Sequence, residues 1–171
     1  MRNNKNLNNG FTMVEALVAI AILLMAVLGP LSLLSKALMD NRYLRNEIVA
    51  NYLAQEGLEM MIYLRDIGDD ALDMDNITID KKFCVDAVEG TIEEISSCSF
   101  LRYDDGQYTY GADNPDSYES IFNREILVEP VVNNNDEAKE VAVTSTVRWN
   151  NQGLSGERLK SYKTYIFIYE N

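Results

Sequence analysis

The sequence predicts an α+β protein: a long amino-terminal helix, membrane-spanning in its first half, packed against a small antiparallel β-sheet head. Three observations predict it. Residues Ala16 to Ser35, ALVAIAILLMAVLGPLSLLS, carry no charge. Residues 36–66 continue with apolar side chains at helical spacing. After residue 70 the recurrence changes to period 2, with β-branched and aromatic residues. A sheet with one apolar face must cover it, and the amphipathic helix is the available cover. The expected divisions are a leader at 1–10, a membrane half of the helix at 11–35, an amphipathic half at 36–67 and a head at 68–171.

Residues 1–10, MRNNKNLNNG, are polar, with Arg2 and Lys5 as the only charges. Such a stretch is either a disordered terminus or the n-region of a targeting segment. The uncharged run that follows is long enough, at ~1.5 Å per residue, for one hydrocarbon core of roughly 30 Å. A signal-peptide apolar core is shorter, about 7–15 residues, and ends in a small-residue cleavage site. No Ala-x-Ala follows this run, so membrane insertion is expected rather than a buried soluble helix. Arg2 and Lys5 precede the run, and Lys36, Arg42 and Arg45 follow it; this balance leaves orientation open. Gly29-Pro30 falls late in the run. Proline lacks the helix donor and crowds the preceding turn, which predicts a kink or local melting there.

In residues 36–66 the apolar stripe is Leu44, Ile48, Tyr52 with Val49 and Leu53, continued by Leu58, Met61, Ile62 and the stem of Arg65. Asp40, Asn41, Arg45, Asn46, Asn51 and Glu56 fall on other faces. The pattern is amphipathic and is expected to pack on the protein's own head. Gly57 costs ~1 kcal/mol against alanine inside a helix, so it is expected to mark a close approach of another backbone. Gly68 with Asp69-Asp70 supplies a helix stop.

The head reads as roughly four strands. Ile77–Asp80 is a weak candidate, and Ser99–Tyr103 a short one. Phe122, Ile126 and Val128 alternate along 120–129, where Pro130 ends or bends the strand. Val141, Val143, Val147 and Trp149 share one face of 140–149, with Thr144, Thr146 and Arg148 on the other. The last strand runs from Leu159 to Tyr169. Asn133–Asp136 and Asn150–Gly153 are turn chemistry, so the last three strands form an antiparallel meander. Asp104–Ser117 reads as a polar loop.

Composition narrows the chemistry. The 171 residues hold 15 basic and 27 acidic side chains, a net charge of -12. Such a surface repels phosphate backbones, so nucleic acid is not an expected partner. There is no histidine, which removes the commonest general base and metal ligand. No nucleophile elbow, phosphate loop or triad is present, so no catalytic residue and no cofactor is expected. Two cysteines without histidine make a poor zinc site. Asp104, Asp105, Asp113 and Asp116 offer oxygens for Ca²⁺, but they read better as a solvated acidic loop; no metal site is expected. Cys84 and Cys98 are candidates for a disulfide, which suits the oxidising side of a membrane. Closing a loop of about 15 residues this way contributes ~3 kcal/mol.

Gly10, Phe11, Thr12, Val14, Glu15 and the apolar run resemble the class III signal of type IV prepilins. The basic leader, glycine, phenylalanine, carboxylate at fixed spacing and long apolar span coincide. The resemblance implies that a membrane prepilin peptidase cuts between Gly10 and Phe11 on the cytoplasmic side and N-methylates Phe11. The head would then lie outside the cytoplasm, in a single-pass inner-membrane protein that later enters an extracellular or periplasmic filament. It also implies other pilin subunits, an inner-membrane assembly platform and membrane lipid as partners. Independently, a carboxylate near a membrane costs free energy unless it finds a partner. Glu15 is therefore expected to be an assembly contact, paired with the new α-amine of its own or a neighbouring chain. Residues 53–59 and 63–66, LAQEGLE and YLRD, are similar to the corresponding helix of V-type minor pilins and related pseudopilins. A pilus subunit, a type II secretion pseudopilin and a single-span protein with an extracellular binding head and no filament remain alternatives.

Overall fold

The computed structural model describes residues 12–67, 80–111, 114–131, 140–150 and 156–167. Among the described residues one helix, α1, runs from Met13 to Ile67. Contacts divide the chain after Leu44 into two units. The predicted helix stop at Gly68-Asp69-Asp70 lies outside the described residues.

In the first unit, α1 is apolar on every side between Ala16 and Ser35 and buried on none. Its most apolar stretch is wholly unburied. Water would charge such a surface about 25 cal/mol for each Å² of apolar area left bare, whereas lipid tails solvate it. The helix is long and apolar enough to span a membrane. It continues without interruption through Gly29-Pro30. The hydroxyls of Ser32 and Ser35 donate to the carbonyls of Gly29 (2.8 Å) and Leu31 (3.1 Å), so both are satisfied within the helix.

The second unit holds the remainder of α1 and one antiparallel sheet of seven strands: β1 Lys81–Asp86, β2 Thr91–Glu94, β3 Phe100–Asp104, β4 Gln107–Thr109, β5 Tyr118–Pro130, β6 Glu140–Asn150 and β7 Glu157–Phe167. The last three form the expected meander, β5 to β6 to β7. The other edge of β5 is shared between two hairpins. Its first part pairs with β3, from Tyr118 opposite Tyr103 to Asn123 opposite Phe100. Its second part pairs with β1, from Ile126 opposite Phe83 to Val128 opposite Lys81. The sheet is thus split on one side, with hairpin β1–β2 beside hairpin β3–β4.

Among the described residues, seven strands replace the expected four or so. Asp104–Ser117 is not a plain loop. Asp105 (φ 42°) and Gly106 (φ 89°) turn β3 back into β4, and an Asp-Gly pair is a strong two-residue hairpin turn. β1 escapes a period-2 reading because Phe83, Cys84, Val85 and Asp86 are all buried. Phe83 and Val85 face the helix, whereas Cys84 bonds to Cys98 and Asp86 meets Thr109 and Tyr110.

The face by which α1 seats on the sheet also differs from the predicted stripe. Ala50, Leu53, Ala54, Gly57, Met60, Met61 and Leu64 are buried. Leu44, Ile48 and Tyr52 are exposed, at 55%, 54% and 68%. Small residues line the contact, and periodicity scored on large apolar residues overlooks them. At Gly57 a Cβ would stand 2.8 Å from Ile126 Cδ1 and 2.8 Å from Ser145 Oγ. The close neighbours are therefore side chains of the sheet rather than another backbone. Two clusters flank this point: Met61 and Leu64 with Phe83, Ile126 and Val143, and Leu53 with Leu101, Phe122 and Trp149. On β6 the predicted inward set, Val141, Val143, Val147 and Trp149, is buried.

Candidate functional site

The amino-terminal end of α1 is built by Thr12. This residue stands just before the helix, and its Oγ1 accepts the amide of Glu15 (3.3 Å) while its carbonyl accepts the amide of Ala16 (3.1 Å). Thr12-Met13-Val14-Glu15 has the Thr-x-x-Glu spacing of a capping box. The carboxylate in the first turn also faces the positive end of the helix dipole, worth about 0.3–1 kcal/mol. Glu15 is exposed, and among the described residues no cation pairs with it. An acceptor held at the end of an apolar rod can receive a cationic group from another chain. Gly10 and Phe11, the expected cleavage and methylation positions, lie outside the described residues.

In the head, the split beside β5 is closed by three links. The first is Arg124, which shares the inward face of β5 with Phe122 and Ile126 and is 0% exposed. Its Nη1 donates to the carbonyl of Leu53 (3.2 Å) and to Glu56 Oε2, and its Nη2 to the carbonyl of Val85. One guanidinium therefore ties α1, β5 and β1. Its Nε, Ser145 Oγ and Trp149 Nε1 are buried and meet no partner among the described residues. The second link is a disulfide between Cys84 of β1 and Cys98, with Cα atoms 5.6 Å apart. The third is Asp86, 3% exposed. Its Oδ1 accepts the amides of Val88 (2.9 Å) and Glu89 (3.2 Å), and its Oδ2 accepts Thr109 Oγ1 (2.6 Å) and the amide of Tyr110 (2.7 Å). Burial pushes the Asp86 carboxyl up, but these four donors together outweigh it and hold it below the ordinary value. Tyr110 in turn donates its hydroxyl to the carbonyl of Arg124 (2.6 Å), and burial pushes the phenol up to about 12.

A cleft of about 310 Å³ opens along this split, walled by Cys84, Asp86, Glu89, Glu93, Ile95 and Tyr110 among others. Its charged groups are all acidic, and both oxygens of Asp86 are already engaged. Of the four aspartates weighed for Ca²⁺, Asp104 accepts Asn114 Nδ2 (2.7 Å), Asp105 occupies the β3–β4 turn, Asp116 donates its amide to Asn114, and Asp113 lies outside the described residues. Among the described residues no group of three or more acidic or cysteine side chains gathers as a metal site.

Arg124 and Asp86 are the residues that sequence reasoning missed. Arg124 had a signal: a cation at an inward position of an alternating strand needs a buried partner. Asp86 showed only the local part of its role, since it takes the amides of Val88 and Glu89 two and three residues on, whereas the donors to its other oxygen come from 23 and 24 positions away.

Residues 5–29 match the family model described as the prokaryotic N-terminal methylation motif, which is the class III signal of type IV prepilins and pseudopilins. No curated protein and no solved structure matches the chain. The motif supports a type IV pilin- or pseudopilin-like protein, and it is joined here to a helix able to span a membrane and an antiparallel head. The motif points to a structural subunit, and it implies processing by prepilin peptidase and assembly with other pilin subunits.

Proposed function

We propose that this chain is a minor pilin or pseudopilin of a type IV pilus-like filament. Prepilin peptidase cuts between Gly10 and Phe11 and methylates the amine of Phe11. The apolar half of α1 holds the subunit in the inner membrane with the head outside the cytoplasm. On contact with the assembly platform the helix leaves lipid and packs against the helices of other subunits. That transfer changes apolar solvation little, so packing and polar pairs decide the register. Glu15 supplies the polar pair, receiving the amino-terminal amine of a neighbouring subunit. Gly29-Pro30 is the point at which the helix bends or loosens during that transfer.

The observation that carries this reading is the methylation motif over residues 5–29 joined to a bare apolar helix. Glu15 also starts the helix, and that role does not compete with the proposed one, because the cap uses the Glu15 amide and leaves the carboxylate open. The test is mass spectrometry of the mature chain from cells carrying the peptidase. N-methylphenylalanine at Phe11 is expected. An intact Met1, or a cut after the apolar run, contradicts the proposal and favours a single-span protein with a binding head.

A further inference from the structure

The head's sheet ends in edges of opposite charge. Among the described residues β7 pairs only with β6, and β2 only with β1. β7 carries Arg158, Lys160 and Lys163 against the lone acid Glu157, in a chain whose net charge is -12. β2 carries Glu93 and Glu94 and no cation. The registers place these side chains on matching faces. Glu93 lies opposite Cys84, and Lys163 opposite Thr144, both on the face away from the helix; Glu94 lies opposite Phe83, and Lys160 opposite Val147, both on the helix side. Each edge is partly engaged within its own chain: Lys81 meets Glu94 (2.9 Å), Lys163 meets Glu129 (2.8 Å) and Lys160 lies over the Tyr162 ring (5.8 Å). Exposed pairs of this kind are weak and exchange partners readily.

The β7 edge is also long and regular. Its ladder with β6 runs from Glu140 opposite Phe167 to Asn150 opposite Glu157 without a register shift, and it contains no proline. An edge of this form is a template for another strand. We propose that the β7 edge of one copy takes the β2 edge of a second copy, so that the sheet continues head to tail between neighbours. The occupant is a second copy because the complementary edge is on the same chain. Two β7 edges repel each other, as do two β2 edges, so the charges select the unlike pair. A contact between different surfaces is head-to-tail and, where its rotation does not close a ring, propagates as an open filament. β2 is 4 residues long, so the contact is short and depends on copies already held side by side. In that respect it rests on the filament proposal above.

The test is zero-length carbodiimide cross-linking of assembled full-length protein made from equal parts ¹⁴N- and ¹⁵N-labelled copies. Isotopically hybrid peptides joining Lys160 or Lys163 to Glu93 or Glu94 are expected. Lys160→Glu with Lys163→Glu should lower their yield at least about tenfold, and mixing that variant with a Glu93→Lys, Glu94→Lys variant should restore an inter-copy link. Assembled copies that give hybrid peptides elsewhere but none between β7 and β2 overturn the edge contact and leave the filament proposal standing. The β7–β2 hybrids appearing in a chain whose first residue is not Phe11 support the edge contact and contradict the filament proposal.

Discussion

Glu56 and Glu15 lie on the same helix in opposite surroundings. Glu56 is half-exposed, yet it meets the buried guanidinium of Arg124 inside its own chain. Glu15 stands on a helix with bare apolar sides and meets no cation among the described residues. The two halves of α1 differ in the same sense. The second half buries small residues and a glycine against a sheet, and its polar neighbours are drawn into the fold. The first half exposes leucine, isoleucine and methionine and buries nothing. The difference teaches where each half finds its energy: the head half within the chain, the first half from lipid or from other chains. Changes in the head should therefore register as stability, and changes near Glu15 as assembly.

The largest effect on stability is expected at Arg124. Arg124→Ala leaves a cavity, strips the carbonyls of Leu53 and Val85 of a donor, and should cost about 4 kcal/mol by urea unfolding. Glu56→Gln keeps an acceptor at the exposed end of the pair and should cost only about 1 kcal/mol. Equal losses in the two variants would break the view that the guanidinium, rather than the ion pair, ties helix to sheet. Cys84→Ser with Cys98→Ser should cost ~3 kcal/mol and loosen hairpin β1–β2 first, which amide exchange of residues 81–94 can follow.

A smaller effect is the pH dependence of the head. Asp86 is held below the ordinary carboxylate value, so its contribution is present above the unfolded value of 3.8 and is lost as pH falls through its depressed folded value. Tyr110 works in the opposite direction. Its phenol is raised from 10.0 to about 12, so its contribution is present below pH 10.0 and is lost as pH rises toward 12. Melting temperatures measured against pH should fall at both ends, and Asp86→Asn should flatten the acid limb alone. An unchanged acid limb in that variant would remove Asp86 from the account.

The sequence made the anchor and the meander legible for the same physical reason. An uncharged run and a period-2 alternation are local patterns, and one strong environment imposes each. The split side of the sheet was not legible, because its order comes from long-range contacts. Asp86 takes two of its four donors from Thr109 of β4 and the residue after it, and Arg124 finds its acceptors on α1 and β1. The helix seat was misplaced because Ala50, Ala54 and Gly57 carry little hydrophobic signal, although close approach makes them the centre of the contact. In the candidate site, Glu15 was visible by its charge beside an apolar run, whereas the part played by Thr12 in starting the helix emerged only from the hydrogen bonds.

The most direct measurement is the fate of Glu15→Ala, expressed beside the native subunit in cells that build the filament. Insertion, cleavage before Phe11 and the melting curve of the head should be unchanged, and incorporation into the sheared filament fraction should fall at least about tenfold. Native levels of the variant in filaments would contradict the claim that Glu15 finds its partner on a neighbouring chain.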